Sequence, residues 1–116
     1  MTEDYSPFLP LSAATLHILL SLADEDRHGY GIMQEVARQS QGQYKLGPGT
    51  LYDNLQKLLT QGLVEESPRP PAHEDPRRRY YRLTSFGRGV LSAEIARLDT
   101  VVREAKVHLR VPRRAT

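Results

Sequence analysis

The sequence predicts a mainly α-helical fold with a small β-ribbon, and three observations carry that expectation. Leucines recur at helical spacing in the first half of the chain. Two short runs, "LVEES" and "RRYYRL", read as strands on either side of the proline-rich, charged "PRPPAHEDPR". The last long segment repeats apolar residues at steps of 4, 3, 4, 3 and 4, which is a helical seam.

The first helix falls on "SAATLHILLSLA". Ser12 is placed to cap it, Leu16, Leu19, Leu20 and Ala23 recur along it, and the charged "DEDRHG" ends it. A second helix is expected from about Gly29 to Gln39, with Tyr30, Met33, Val36 and Ala37 on its buried face. Gly29 and Gly31 each cost about 1 kcal/mol of helix propensity. They are tolerated where another backbone comes close, so tight packing is expected at this helix start. "YKL" then reads as a short extended segment.

The third helix begins abruptly. Gly47 takes the cap position, and Pro48 takes the first helical position, where its fixed φ fits and its missing N–H leaves nothing unpaired. Leu51, Leu55, Leu58 and Leu59 form its buried stripe, and Gly62 is a natural C-terminal cap. The connection between the strands holds Pro68, Pro70, Pro71 and Pro76, and reads as an extended, mobile loop. Thr84 can cap the last helix, which runs to about Arg110 before Pro112. Its seam is Leu91, Ile95, Leu98, Val102, Ala105 and Leu109. A helix of about 26 residues spans about 39 Å, longer than one small domain covers. It packs either along its own domain or on a second chain, and the second is the expectation.

Helix, helix, helix, strand, loop, strand and long helix is the plan of a winged helix-turn-helix with a C-terminal dimerisation helix. The expected organisation is a DNA-binding domain at 1–84 with its wing at about 63–83. A dimerisation helix follows at 85–111, and a basic tail at 112–116.

Composition narrows the function. The chain has 116 residues, the usual size of one domain. It contains no Cys, which excludes disulfides, thiolate metal sites and cysteine nucleophiles. His17, His28, His73 and His108 lack metal-ligand spacing, and neither a serine-nucleophile motif nor a phosphate-binding loop is present. Catalysis, a metal and a cofactor are therefore not expected. No apolar run approaches the roughly 18–20 residues that cross a bilayer. "MTEDYSPFLP" lacks an apolar signal core, so a cytoplasmic protein without a membrane partner is expected.

Net charge is +2, but its distribution is uneven. Residues 1–26 carry five acidic groups and no Lys or Arg. Residues 69–88 carry six arginines against Glu74 and Asp75. A local basic segment fits a polyanion, and equally a hairpin kept soluble by arginine.

The third helix offers the chemistry of base reading. Gly49, Asp53, Gln56 and Lys57 lie opposite the leucines, with Thr50 nearby. Gln pairs with adenine, Thr meets a thymine methyl or a phosphate, and Lys contacts phosphate or guanine. Gly49 lets a DNA backbone approach, and the helix N-terminus offers free N–H groups to a phosphate. Asp53 repels phosphate, but can accept from cytosine or pair with Lys57 one turn on. Tyr52 flanks the stripe, where it either reaches a phosphate or packs at the core edge. Tyr44 and Lys45 are further phosphate candidates. In the wing, strand alternation sends Arg78, Tyr80 and Arg82 one way and Arg77, Arg79 and Tyr81 the other. One tyrosine is expected in the core, with Arg77, Arg78, Arg79 and Tyr80 as DNA-contact candidates. By themselves these residues also fit a solvated helix face, a charged strand edge, or a winged helix that binds protein without specific DNA binding.

"HGYGI", "GPGTLYDNLQKLLTQGLVEE" and "RRRYYRLTSFGRGVL" resemble the PadR family of bacterial transcriptional regulators in type, order and spacing. The match runs from about Leu16 to Leu91, with a last helix of suitable length. The resemblance implies a winged-helix domain, a C-terminal dimerisation helix, and a homodimeric repressor on an operator of double-stranded DNA. It also implies release by a small aromatic or hydrophobic effector, as in several members of the short subgroup. Tyr5, Phe8, Ile95 and Leu98 are the candidate lining of such a site, between the first and last helices. Two departures stand out. Many relatives have Pro where this chain has Asp53, and the paired tryptophans of the drug-sensing members are missing, Ile95 standing near that place.

Overall fold

The computed structural model describes residues 4–68 and 78–110. Arg77, the middle of the proline-rich connection and the basic tail lie outside them. Helix α1 spans Ala13–Ser21, α2 Gly29–Gln39, α3 Pro48–Gln61 and α4 Ser85–Arg110. Strands β1 (Arg27–His28), β2 (Val64–Glu66) and β3 (Tyr80–Leu83) complete the fold.

Each helix start has a local cause. The Ser12 hydroxyl accepts the Thr15 N–H at 3.2 Å and caps α1. His28 Nδ1 accepts the Gly31 N–H at 3.0 Å and caps α2. Gly47 and Pro48 open α3 as the sequence predicts, and Gly62 closes it in the left-handed region at φ 77°. The Thr84 hydroxyl accepts the Gly87 N–H at 2.9 Å and donates to the Gly62 carbonyl at 2.5 Å. That one side chain ties the end of α3 to the start of α4.

The core gathers Ile18, Leu19, Ile32, Val36, Leu51, Leu55, Leu58 and Val90 around Leu63 and Val64. The buried side of α2 differs from the expected one. Ile32, Glu35 and Val36 face inward, while Tyr30 stands 60% exposed. A two-residue step turns a helix by about 200°, so Tyr30 and Ile32 point to opposite sides. Glu35 is buried but ionised. Arg38 donates to it at 2.8 Å, Gln39 bonds it at 3.0 Å, and Arg27 lies 3.7 Å away. The Arg38 guanidinium is the main reason its carboxyl is held down to about 2.

The ribbon gains a strand. The sheet has three antiparallel strands in the order β1-β3-β2, with His28 opposite Tyr80 and Glu65 opposite Arg82. A two-residue strand has no period to read, which is why β1 was not expected. It makes β3 the central strand, so both tyrosines are buried, at 3% and 5% exposure. Tyr80 packs edge-on against His28, with ring centroids 5.3 Å apart.

Helix α4 approaches the sheet through Gly87. A Cβ there would lie 1.9 Å from the Leu63 carbonyl oxygen, so only glycine fits. Val90, Leu91 and Glu94 are buried beyond it. Leu91, expected to start a seam between chains, packs in its own domain's core instead. The Glu94 carboxylate accepts the Leu11 N–H at 2.9 Å and two Arg97 N–H groups at 2.6 and 3.0 Å. From residue 99 to 110 every side chain of α4 is exposed. No helix among the described residues is long and apolar enough to cross a membrane.

Candidate nucleic-acid interface

Leu51, Leu55 and Leu58 are each at most 2% exposed and fix the orientation of α3. With that face held, Gly49, Thr50, Asp53, Gln56 and Lys57 all reach solvent on the other side. Asn54, between the two faces, bonds back to the Thr50 carbonyl at 2.8 Å and meets the Thr15 hydroxyl of α1 at 3.4 Å. The first turn of α3 is thus braced against α1. Lys45 is exposed just before the helix. Tyr44 is half-buried, its ring stacked on His17 at 4.6 Å and its backbone N–H bonded to the Ser40 hydroxyl. Its ring is a packing element first, because the turn into α3 folds it against α1.

The arginines in and beside the wing divide into engaged and outward ones. Arg82 bonds Glu65 across the ladder at 2.8 Å, and Arg88 reaches back to the Ala23 carbonyl at 2.9 Å. Arg79 comes within 4.0 Å of Glu66, an exposed pair. Arg78 is exposed, with its guanidinium 2.8 Å from His28 Nε2. Tyr80, expected among the DNA contacts, is withdrawn from that role, because the central strand position and the His28 ring cover it.

A solvent-open groove of about 420 Å³ separates α3 from the wing. Gly29 and Tyr30 at the start of α2, Tyr52 of α3, and Arg78 and Arg79 line it. Sequence reasoning missed Tyr30 and His28 here, having placed Tyr30 in the core. The glycines gave a partial signal. Something does pack tightly at the start of α2, but it is the Tyr52 side chain, not a backbone. A Cβ on Gly29 would lie 2.3 Å from the Tyr52 hydroxyl.

The candidate effector residues lie at two levels of α4. Tyr5 and Phe8 close on Phe86, with ring centroids 5.6 and 5.3 Å away. Ile95 is 43% exposed and Leu98 half-buried, further along α4. Among the described residues no group of His, Asp and Glu is placed to hold a metal ion.

A braced helix with a mixed polar face, beside a small sheet carrying outward arginines, defines a winged-helix DNA-binding protein. The chain belongs to the PadR-like family of transcriptional regulators, whose model matches residues 18–93. It is 37% identical over 93 residues to "Transcriptional regulator Rv3488" of Mycobacterium tuberculosis (strain ATCC 25618 / H37Rv), covering 80% of this chain and 82% of that one. A PadR family transcription regulator from hypervirulent Clostridium difficile R20291 shares the fold at a TM-score of 0.70 and 21% identity, covering 84% of this chain and 99% of that one. Bacillus subtilis PadR in complex with operator DNA does so at 0.61 and 20% identity, covering 74% of this chain and 48% of its own. PadR-family regulators are DNA-binding proteins without enzymatic activity.

Proposed function

We propose that this regulator is a sequence-specific repressor that binds its operator as a homodimer. The observation that carries the reading is the outward face of α3. Gly49, Thr50, Asp53, Gln56 and Lys57 are exposed together on a helix whose other face is locked into the core. Two such helices enter successive major grooves about one turn, roughly 34 Å, apart. Gln56, Thr50 and Asp53 supply base discrimination, while Lys57, Lys45 and the wing arginines hold the backbone. The bare distal half of α4, with Ile95, Leu98, Val102, Ala105 and Leu109 along one seam, supports pairing with a second copy. An aromatic or hydrophobic effector acts, in this reading, at Ile95 and Leu98 by shifting the separation of the two α3 helices. The operator found beside a Bacillus subtilis relative of the same fold supports the DNA partner.

Fluorescence anisotropy on the DNA directly upstream of the protein's own gene tests this. A specific shift that survives excess unrelated duplex at moderate salt is expected. Equal binding to every duplex, or none, points instead to a winged helix that binds protein.

A further inference from the structure

We infer that Asp53 makes this regulator select cytosine at one position of each half-site, its carboxylate accepting from the cytosine N4 amino group in the major groove. The inference deepens the DNA-binding reading above and rests on it.

Two partners fit Asp53 by spacing and chemistry, Lys57 one turn on and a cytosine. The first is not taken. Asp53 is exposed, and among the described residues its side chain has no ion pair and no hydrogen bond. Elsewhere in the fold carboxylates are engaged. Glu35 holds Arg38, Glu65 holds Arg82, Glu94 holds Arg97 and Asp99 holds Arg103. Among the described carboxylates only Asp26, in the charged turn before β1, is as free as Asp53.

Helix chemistry does not account for Asp53 either. A carboxylate favours a helix start within the first turn, and the first turn of α3 holds none. Other polar side chains of α3 turn back on the helix. Asn54 bonds the Thr50 carbonyl at 2.8 Å, and the Thr60 hydroxyl donates to the Gln56 carbonyl at 2.9 Å.

Asp is short, so it reads a base only where the duplex comes close. Gly49 lies one turn before it on the same face. Among the described residues nothing lies within 4 Å of a Cβ built on Gly49. Packing inside the chain therefore does not require this glycine, a poor helix former. Its bare backbone instead leaves room for the duplex beside Asp53.

The choice of base follows from what each one shows in the major groove. Guanine shows two acceptors, thymine an acceptor and a methyl group, and adenine a donor beside an acceptor. Cytosine alone shows a donor with no acceptor on the same base. A carboxylate only accepts, so it gains from cytosine and is repelled or left unpaired by the others. Lys57, exposed one turn on, offsets part of the repulsion between this carboxylate and the phosphates.

The test selects the operator of the full chain from randomised duplexes, then repeats the selection with Asp53→Ala and Asp53→Asn. The wild type should require cytosine at one position per half-site, with about a tenfold loss for any other base. Both variants should lose that requirement at the same position. Asn should turn it toward adenine, whose donor and acceptor it matches. Replacing the selected cytosine by 2-pyrimidinone, which lacks the amino group, should weaken the wild type about tenfold and Asp53→Ala by less than about twofold. With one repelling charge removed, both variants should bind unrelated duplex about threefold more tightly at low salt. A merely structural role would instead weaken binding to every duplex alike. That result, a wild-type preference profile in either variant, or loss of preference at a base other than cytosine overturns the assignment while the DNA reading stands. A wild type that selects no sequence takes both down.

Discussion

Helices α3 and α4 carry the same kind of apolar stripe and meet different fates. In α3 the stripe is consumed by the domain, with Leu51, Leu55 and Leu58 at 0%, 1% and 2% exposure. In α4 only the first three turns are covered. Val90 and Leu91 are buried, whereas Val102 and Leu109 are 47% and 85% exposed. A helical period tells which face is apolar, not what covers it. In α3 the other face is freed for recognition because the domain fully holds the first. In α4 the distal stripe has nothing among the described residues to lie on, which is the physical ground for proposing a second copy.

The comparison can be broken hardest at α3. Leu55→Ala leaves a cavity in the centre of the stripe and should cost about 3 kcal/mol or more, read as a large fall in the urea midpoint. The corresponding loss on distal α4, Leu109→Ala, should leave the midpoint of dilute protein unchanged within about 0.5 kcal/mol. An equal loss at both sites would mean that α4 is covered within its own chain.

The anchored half of α4 is tested through Glu94. Its carboxyl is lowered from 4.5, chiefly because Arg97 donates to it. The charged form is thus favoured by folding. The contribution is complete above the ordinary carboxylate range and is lost as pH falls below 4.5 toward the lowered value. Glu94→Gln should cost about 1–2 kcal/mol at pH 7 and reduce the fall in stability as pH drops below 4.5. A wild-type profile in the variant would refute the assignment.

On the outward face of α3, Lys57→Ala should leave the melting temperature unchanged. It should weaken operator binding about fivefold at low salt and lower the salt slope by about 0.9. Gln56→Ala should instead alter which bases are preferred, visible in a selection from randomised duplexes. Val102→Asp should change folding by less than about 0.5 kcal/mol, yet it should shift the species seen by sedimentation equilibrium toward the monomer. A dimer equally strong in that variant would remove the seam from the interface.

Much of this contrast is legible in the residues. Gly47-Pro48, the four leucines, Gly62 and Thr84 specify the bounds of α3 and the start of α4, because caps and breakers act on the backbone within a turn of themselves. Less legible were the features set by distant neighbours. Tyr30 was placed on the wrong face of α2 because a tyrosine scores as apolar, while the buried position went to Glu35, whose charge Arg38 and Arg27 offset. Tyr80 looked like a wing contact until β1 covered its edge. The groove that unites Tyr30, Tyr52 and Arg78 joins residues 48 positions apart in the chain and has no linear signature.

By itself the sequence determined the four helices, the two ribbon strands, their order, the abrupt start of α3 and the family, since these depend on local backbone preference and on period. The tertiary structure alone decided which polar residues are buried in ion pairs and which arginines face outward. It also decided that Leu91 belongs to the core while Val102 does not. Those outcomes depend on what lies opposite each side chain, and burial reverses the fate of a charge or a tyrosine only once that neighbour is in place.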